Sequence, residues 1–359
     1  MFVQTSGAAV ARSMCILYSY PYRLFSGNDT MKPHHAAPAH ISNLSKLGAM
    51  VVLAAVLAAV PARAEVSADD AKSGIVDCTA AVLQDHNPGL ADKPDRVICF
   101  AGYISNFNVT ARDDRGKKKF LGVPHWVAHH VKRAANSPES GERPDTWFTV
   151  PELAAKGIAP TSDSYAFSSA FRKAHKNWYD RGHLAQKYLA ERRGHDAAWF
   201  THNVVNAVPQ RHVFNAGSWL TLECYTGAWA NKYGEVWVVA GPVFKKNRPI
   251  VWMRSDNNKK AMAVAIPPGE FKIVARKTGE QWDVLAFVYP QNHKSYAKAP
   301  FDPEIWLKSV ADIEQLTGEQ FLSGVPNAAQ IKAKPAEKLW PVAKSDFDSG
   351  CAKQQADVK

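Results

Sequence analysis

Residues 179–186 read YDRGHLAQ and place an acid, a guanidinium and an imidazole within four positions. Imidazole is the side chain whose ordinary pKa suits proton transfer near neutral pH. A guanidinium can offset the negative charge that develops on a reacting phosphate. Gly182 allows a sharp backbone bend, so His183 can leave the end of a strand and face open space. His183 is therefore a candidate general base, with Arg181 as a phosphate contact and Asp180 as a brace for the motif.

A second group of residues follows on a predicted helix. Asn215 lies near the start of this helix, and Trp219 and Glu223 follow at steps of four. Each such step drifts by about 40° around an α-helix, so the three side chains are predicted to share one flank. Mg²⁺ prefers hard oxygen ligands and keeps much of its water shell. Asn215 is therefore a candidate direct ligand of Mg²⁺, or of Mn²⁺ in its place, and Glu223 a candidate partner of metal-bound water.

Each of these residues also has a structural interpretation. His183 could be an ordinary capping histidine, Asn215 an N-cap of its helix, and Glu223 a solvated helix residue. Arg181 could form a structural salt bridge. The catalytic interpretation depends on the residues occurring together, because a base, a guanidinium and one hard-metal ligand are what phosphodiester hydrolysis requires.

The hydrophobic pattern predicts the elements that would position these residues. Strands outnumber helices and do not alternate with them, which indicates an α+β fold with a mixed or antiparallel central sheet and flanking helices. The segment 235–244 is a continuous apolar run, as expected for a strand buried on both faces. The other predicted strands are 96–108 and 124–131, paired around a charged turn at 113–119, then 262–276 and 282–291; the predicted helices are 213–234 and 309–322.

The chain is predicted to have four parts. Residues 1–64 are a leader whose apolar run at 48–64 resembles a secretory signal peptide cleaved after Ala64, with Met31 or Met50 as alternative starts. A membrane anchor is the alternative, but the run is shorter than the roughly 20 residues that span a bilayer, so no stable membrane insertion is expected. Residues 65–95 are an N-terminal extension, 96–326 the main domain, and 327–359 a tail held at one point by Cys351. This arrangement predicts a periplasmic or secreted protein.

Charge and cysteine content add two expectations. The formal net charge is +11, which suggests an acidic partner such as nucleic acid or an anionic surface. Beyond the leader there are four cysteines and no Cys-x-x-Cys pair, which favours disulfides over a cysteine zinc site. Three pairings are possible, of which Cys78–Cys99 with Cys224–Cys351 is preferred.

Several segments together resemble the DNA/RNA non-specific endonuclease family of the ββα-metal superfamily. They occur in family order over residues 96–326: DRGHLA (180–185), NAVPQ (206–210), FNAGSWLTLE (214–223), VWVVAGPVF (236–244), IPPGEFKIV (266–274) and DIEQLTGEQFL (312–322). The resemblance implies a ββα-metal motif on the central sheet, one divalent ion, and cleavage of DNA and RNA to 5′-phosphate ends. It assigns His183 as general base, Asn215 as metal ligand, Glu223 as acidic partner through metal-bound water, Arg181 as phosphate contact and Asp180 as brace. Homodimers are common in the family, so a homodimer is a candidate assembly.

The chain departs from the family pattern at two positions. Lys187 follows the motif where many members have a small residue or proline nearby, which predicts an added basic contact to substrate. Ala216 stands beside the metal ligand and leaves one hydrogen bond there unassigned. Arg211 and Trp178 are further candidate substrate contacts, with core packing as the alternative for Trp178. The remaining nearby histidines, His195, His202 and His212, are expected at the plain surface, with a substrate contact as the alternative.

Other functions fit the same composition. A basic nucleic-acid-binding protein without turnover would show salt-sensitive binding and no cleavage. A basic adhesion protein would tolerate substitution of Asn215, and a phosphodiesterase could act on a smaller substrate. The complete set of His183, Asn215 and Glu223 favours the nuclease.

Overall fold

A central antiparallel sheet of seven strands carries the fold. The computed structural model describes residues 68–92, 96–114, 116–135, 142–175, 178–244 and 248–351, so the predicted leader lies outside the described residues. Its strands are β1 (Ile75–Val76), β2 (Val97–Phe100), β3 (Ile104–Phe107), β4 (Arg112–Asp114), β5 (Lys117–Lys119), β6 (Pro124–Lys132), β7 (Tyr179–His183), β8 (Ala207–Arg211), β9 (Glu235–Val243), β10 (Val251–Met253), β11 (Val264–Ile266), β12 (Gly269–Thr278) and β13 (Gln281–Pro290). The seven-stranded sheet has the order β1-β2-β3-β6-β9-β12-β13, and three two-stranded sheets pair β4 with β5, β7 with β8 and β10 with β11.

Helices flank this sheet. They are α1 (Ala68–Lys72), α2 (Ala80–His86), α3 (Pro151–Ala155), α4 (Ser169–Ala174), α5 (Lys187–Ala190), α6 (His195–Trp199), α7 (His212–Phe214), α8 (Leu220–Tyr233), α9 (Val310–Thr317) and α10 (Ala328–Lys332). No helix within the described ranges is long and apolar enough to cross a membrane. The expected α+β class with an antiparallel central sheet is confirmed.

Strand β9 lies in the middle of the sheet and is buried on both faces, as its unbroken apolar run predicted. Val236, Val238 and Ala240 belong to the core beneath α8, whereas Trp237 and Val239 belong to the core on the opposite face, beneath α9. Successive strand residues point to opposite faces, so only a strand covered on both sides needs to be apolar at every position.

Several of the predicted segments differ in detail from the structure. Residues 262–276, predicted as one strand, form β11 and β12 in two different sheets. Residues 96–108, predicted as one strand, form the antiparallel pair β2 and β3. The predicted helix 309–322 is shorter, because Ser309 and Asp312 form a capping box at its start and Gly318 (φ 81°) ends it. A glycine in this left-handed conformation is a common helix stop.

Both flanking segments pack against the central sheet. The N-terminal extension adds β1 to the sheet edge, where Ile75 pairs with Phe100. The C-terminal segment is held at several points, so the prediction that Cys351 alone holds it is wrong. Trp340 is buried and its carbonyl accepts a hydrogen bond from Trp229 Nε1 at 3.1 Å. The disulfides Cys78–Cys99 and Cys224–Cys351 confirm the preferred pairing.

Candidate active site

The DRGH residues form the first strand of a compact β-hairpin that leads directly into a helix. Strand β7 pairs antiparallel with β8, with Asp180 opposite Gln210 and His183 opposite Ala207. The chain then enters α7 at His212 without an intervening loop. The buried Asn206 closes the hairpin, because its side chain both accepts from the Ala185 N–H and donates to the Ala185 carbonyl, each at 2.8 Å. The result is a ββα unit, as the resemblance implied.

The helix of this unit contains one wider turn. Residues Asn215–Trp219 are π-helical and join α7 to α8. The sequence prediction assumed regular α-helical spacing from Asn215 to Glu223, and the wider turn alters the angle between Asn215 and Trp219. Single π-helical turns inside α-helices are frequently found at functional sites. Asn215 is half-buried at the start of this turn, whereas Trp219 is fully buried at its end.

We call the residues around the Asp180 carboxylate the open cluster: Trp178, Asp180, His212 and Asn215. Asp180 Oδ1 accepts from Trp178 Nε1 at 2.9 Å, and Oδ2 accepts from Asn215 Nδ2 at 3.1 Å. His212 Nδ1 lies 2.9 Å from the same Oδ2, and the His212 ring stacks on Trp178. His212, expected at the plain surface, therefore belongs to the site.

The open cluster fixes the orientation of the Asn215 carboxamide. An ionised carboxylate only accepts hydrogen bonds, so the NH₂ group of Asn215 must face Asp180. The carboxamide oxygen is then directed away from Asp180. A half-buried, hard oxygen held in this way is the type of ligand that Mg²⁺ or Mn²⁺ takes in proteins. The residues therefore fit a divalent ion at Asn215, and Asp180 acts as the predicted brace.

A second contact joins the same helix to the other end of β7. Trp219 Nε1 donates to the His183 carbonyl at 3.2 Å. Together with the contact between Asp180 and Asn215, it ties both ends of the DRGH motif to residues one turn apart. The helix and the strand that carry the predicted metal ligand and the predicted base are thus held side by side.

The His183 ring lies under two aromatic side chains. The ring of Trp147 is 4.6 Å from it, and the ring of His202 is 4.9 Å away at a near-perpendicular angle. The Nε2 atom of His183 is buried and has no hydrogen-bond partner among the described residues. Burial lowers the pKa of His183 well below its usual range, and the positive groups of His202 and Arg143 lower it further. His183 is therefore held as the neutral imidazole, the form that can accept a proton.

Arg181 lies beside His183 and is supported by uncharged groups. Its Nη1 donates to Ser162 Oγ at 2.8 Å, and its guanidinium carbon lies 5.2 Å from the centre of the Trp147 ring. Neither partner carries a negative charge, so the positive charge of Arg181 is available to an anion. Arg143 is exposed nearby, on a segment that the sequence indicated only as a loop.

Glu223 faces the protein interior. We call the buried polar residues around it the closed cluster: Gln210, Glu223, Glu270, Lys272 and Gln291. Lys272 Nζ lies 4.0 Å from Glu223 Oε1, and their side chains are only 2% and 6% exposed. Lys272 also lies over the Trp219 ring. Burial raises the pKa of Glu223 to about 7 and that of Glu270 to about 8, and it lowers the pKa of Lys272 to about 8.

The rest of the closed cluster supports the hairpin. Gln210 Nε2 donates to Glu270. Gln291 Oε1 accepts a hydrogen bond from the Arg211 N–H at 2.8 Å, and Gln291 Nε2 donates to the Pro209 carbonyl at 2.7 Å. The Gln291 side chain thus bonds to two backbone groups on the outer edge of β8. The Gln210 side chain covers the Cα of Gly182, and a Cβ at position 182 would overlap it. Gly182 is thus required for close packing as well as for the bend.

The three predicted substrate contacts lie in different settings. Lys187 is buried and paired with Glu191, four residues along the helix. Arg211 is half-buried, with its guanidinium over the Tyr179 ring at 5.6 Å. Trp178 belongs to the open cluster. The roles of these three residues in substrate binding stay predictions. A contact between Lys187 and substrate would compete with the ion pair between Lys187 and Glu191.

Sequence reasoning missed several residues of this site. Trp147, Ser162 and Arg143 belong to segments without a recognisable motif, and His202 was assigned to the surface although it is buried against His183. Their contacts with β7 span twenty to forty positions, a separation for which a single sequence gives no signal. Among the described residues, no group of three or more His, Cys, Asp or Glu side chains is arranged to hold a metal ion. The metal site predicted at Asn215 is of a different type, because its ligands would be one carboxamide oxygen and water molecules.

Comparison with known proteins identifies the family. Residues 96–328 match the model of the DNA/RNA non-specific endonuclease family. The chain is 25% identical over 248 residues to the mitochondrial nuclease of Saccharomyces cerevisiae, covering 66% of this chain and 71% of that protein. It is 28% identical over 216 residues to the mitochondrial nuclease EXOG of Danio rerio, covering 55% of each protein. The chain thus spans about half the length of this second relative.

A solved structure is also similar. The crystal structure of the EndoG/EndoGI complex, described as showing the mechanism of EndoG inhibition, aligns with a TM-score of 0.45 and 19% identity. The alignment covers 70% of this chain and 95% of the EndoG-complex chain.

The prediction of a periplasmic or secreted protein is wrong by this comparison. The relatives from Saccharomyces cerevisiae, Danio rerio, Mus musculus and Homo sapiens are all named as mitochondrial nucleases, which points to a mitochondrial location. The physical reason for the error lies in composition. Residues 1–64 contain five Lys or Arg and one Asp, and a basic, acid-poor stretch is typical of mitochondrial transit peptides as well as of the start of a signal peptide.

The family model covers well over half of the chain and includes every residue of the open and closed clusters. The chain therefore belongs to the DNA/RNA non-specific endonuclease family and is an enzyme of the endonuclease class.

Proposed function

We propose that this protein hydrolyses phosphodiester bonds within DNA and RNA, with one divalent ion held by Asn215 and His183 as the general base. Mg²⁺ is the proposed ion, with Mn²⁺ as its substitute, and the products carry 5′-phosphate ends. The observation that carries the proposal is the pair of hydrogen bonds from Asn215 to the Asp180 carboxylate and from Trp219 to the His183 carbonyl. They hold the base and the carboxamide oxygen on adjacent elements.

The roles of the residues follow from their contacts. His183 is the proposed acceptor of the proton of the attacking water, because burial keeps its ring unprotonated and its Nε2 has no hydrogen-bond partner among the described residues. Arg181 offsets charge on the phosphate oxygens, since its own partners Ser162 and Trp147 are uncharged. Asp180 orients Asn215 by accepting from its NH₂ group. A bound divalent ion would supply positive charge at the leaving oxygen.

Substrate binding is proposed to act through the phosphate backbone. The net charge of +11 and the exposed Arg143 beside the site favour contacts that carry no sequence information. Lys187, Arg211 and Trp178 stay candidate contacts, and Glu223 stays the candidate partner of metal-bound water. Homodimerisation is a further proposal.

The test uses purified protein, supercoiled plasmid and single-stranded RNA. Wild-type protein is expected to cut both in Mg²⁺ and neither in a chelator. His183→Ala is expected to lower kcat by roughly 10² to 10⁴-fold, the contribution typical of a general base. Asn215→Ala should also lose activity and should raise the Mg²⁺ concentration needed for the remainder. Circular dichroism and thermal unfolding of both variants should match the wild type.

The competing functions predict other results. Salt-sensitive binding of plasmid without cleavage in any divalent ion would overturn the proposal in favour of a binding protein. Turnover of bis(p-nitrophenyl) phosphate without cleavage of plasmid or RNA would indicate a phosphodiesterase of smaller substrates. Wild-type rates in His183→Ala would exclude it as the base.

A further inference from the structure

We propose that Trp147 is a positioning residue of this site: its indole ring holds the guanidinium of Arg181 and the imidazole of His183 in their working arrangement. This inference rests on the proposed function, because it assigns Trp147 to the catalysis carried out by those two residues. It adds to the site a residue that lies outside every motif found in the sequence.

Trp147 itself is firmly held. The next residue, Phe148, donates its N–H to the His202 carbonyl at 2.8 Å and accepts from the Val204 N–H at 3.0 Å. The Phe148 ring also packs against the Phe200 ring at 5.0 Å. These contacts join the segment that carries Trp147 to the chain leading into β8. The position of the indole is therefore fixed to the same hairpin that carries the DRGH motif.

The contact with Arg181 has a specific electrostatic consequence. An arginine side chain is long and flexible, and it is usually fixed by a carboxylate, which would neutralise much of its charge. Arg181 is fixed instead by the face of Trp147 and by the hydroxyl of Ser162. A cation over an indole ring is attracted to it without being neutralised. The arrangement restricts the guanidinium and preserves its charge for a phosphate.

The contact with His183 restricts the second catalytic side chain. The indole and imidazole rings are 4.6 Å apart, and the His202 ring lies 4.9 Å from His183 and 5.4 Å from Trp147, so each of the three rings contacts the other two. His183 is thereby held against two aromatic rings, with its main-chain carbonyl bonded to Trp219. Because proton transfer depends on alignment of the base with the attacking water, loss of this confinement should lower kcat more than it raises KM.

A simpler role for Trp147 is stacking on a base of the substrate. That role would act in binding, and it would vanish on a substrate without bases. The positioning role acts on the phosphate chemistry and does not depend on the presence of a base. An oligonucleotide of abasic deoxyribose phosphates separates the two roles.

The experiment compares Trp147→Phe with Trp147→Leu in the full chain. Both replacements are apolar and of similar size, but only Phe keeps an aromatic face for Arg181 and His183. We expect Trp147→Leu to lower kcat by about ten-fold or more on both normal and abasic substrate, with little change in KM. Trp147→Phe should recover most of kcat, since a phenyl ring provides a weaker cation–π contact.

Trp252→Leu is the matched control. Trp252 is also half-buried and also lies against a cation, Lys119, which is not part of this site. The Trp252→Leu substitution should lower thermal stability about as much as Trp147→Leu does, and it should leave kcat at the wild-type value.

Two outcomes would overturn the inference. One is equal kcat for the Leu and Phe variants. The other is a loss confined to KM on normal substrate, which would assign Trp147 to base stacking. Failure of the proposed function would appear differently, as absence of metal-dependent cleavage by the wild type itself.

Discussion

The open and closed clusters belong to the same ββα unit and use polar groups in opposite ways. In the open cluster Asp180 and His212 have side chains that are 21% and 43% exposed. In the closed cluster Glu223 and Lys272 are almost completely shielded from water. The open cluster has one carboxylate with nitrogen partners on both oxygens, whereas the closed cluster contains two carboxyl groups and the amine of Lys272.

The open cluster orients the Asn215 side chain, whereas the closed cluster supports the fold. Asp180 keeps some contact with water and accepts hydrogen bonds on both oxygens, so it can fix the direction of the Asn215 amide at small cost. Buried ionisable groups cost several kcal/mol unless they are paired, and their presence under the hairpin means that the fold depends on their mutual contacts. We therefore expect substitutions in the open cluster to change activity first, and substitutions in the closed cluster to change stability first.

Removal of the central cation of the closed cluster should have the largest effect. Lys272→Met leaves Glu223 and Glu270 buried without a positive partner, and we expect a loss of about 3–5 kcal/mol in the free energy of unfolding. Urea denaturation measures this loss. The double variant with Glu223→Gln should recover part of it, because one of the two buried carboxyl groups is then gone.

The matched control is Lys72→Met. Lys72 pairs with Asp69 on the surface, where both side chains are more than three-quarters exposed, and its replacement should cost less than about 1 kcal/mol. An equally small loss for Lys272→Met would show that the buried pairing does not support the fold.

Gly182→Ala tests the contact between the hairpin and the closed cluster. The added methyl group would overlap Gln210, which is held in place by Glu270. We expect a loss of about 1–3 kcal/mol in the free energy of unfolding from overpacking, and a fall in kcat of about 10²-fold from displacement of His183. Gly350→Ala is the control, since a Cβ there has its nearest neighbour at 3.7 Å. Wild-type kcat in Gly182→Ala would contradict the close packing.

Asp180→Asn tests the open cluster. Three nitrogen atoms converge on the two oxygens of Asp180, and an asparagine offers only one oxygen to them. We expect kcat to fall about 10- to 100-fold and half-maximal activity to require more Mg²⁺, while the free energy of unfolding falls by only about 1 kcal/mol. Asp196→Asn is the control, since it alters an exposed pair with His195. It should leave kcat, the Mg²⁺ requirement and the free energy of unfolding unchanged. A large loss of stability with intact Mg²⁺ dependence would remove the proposed distinction between the clusters.

The pH dependence of stability tests the closed cluster in a second way. Burial raises the pKa of Glu270 from 4.5 to about 8, so between these values the folded protein binds a proton that the unfolded chain has released. The free energy of unfolding should therefore fall as pH rises from about 5 to about 8. Glu270→Gln removes this proton and should make the slope shallower over the same range, as measured by urea denaturation at several pH values. An unchanged slope would show that Glu270 titrates normally.

Local signals predicted much of the framework. The apolar run of β9 predicted a strand buried on both faces, and the predicted helix 213–234 ends at Gly234, which is the C-cap of α8. Each of these predictions depends on the backbone preference or hydrophobicity of neighbouring residues. Strand β8, which continues through Pro209 to Arg211, was not among the predicted strands. Gln291 bonds to the Pro209 carbonyl and to the Arg211 N–H, so a residue without an N–H is accommodated at this edge.

The site could be predicted only in part. Asp180, Arg181, His183 and Asn215 were visible because motif residues are close in sequence. The burial of Glu223 against Lys272 depends on the packing of α8 over β12, and the π-helical turn at Asn215 has no reliable sequence signature. The covering of His183 by Trp147 and His202 is likewise set by contacts between distant segments.

The two disulfides have a practical consequence for how the protein can be shortened. Each bridge joins a cysteine within residues 96–328 to one outside them: Cys99 to Cys78, and Cys224 to Cys351. A chain trimmed to the limits of the family match would keep Cys99 and Cys224 as two lone thiols in its interior. It would also lose the segment around Trp340 that covers Trp229. The two disulfides therefore attach both flanking segments covalently to the endonuclease domain. The shortest chain that keeps both bridges starts before Cys78 and ends after Cys351.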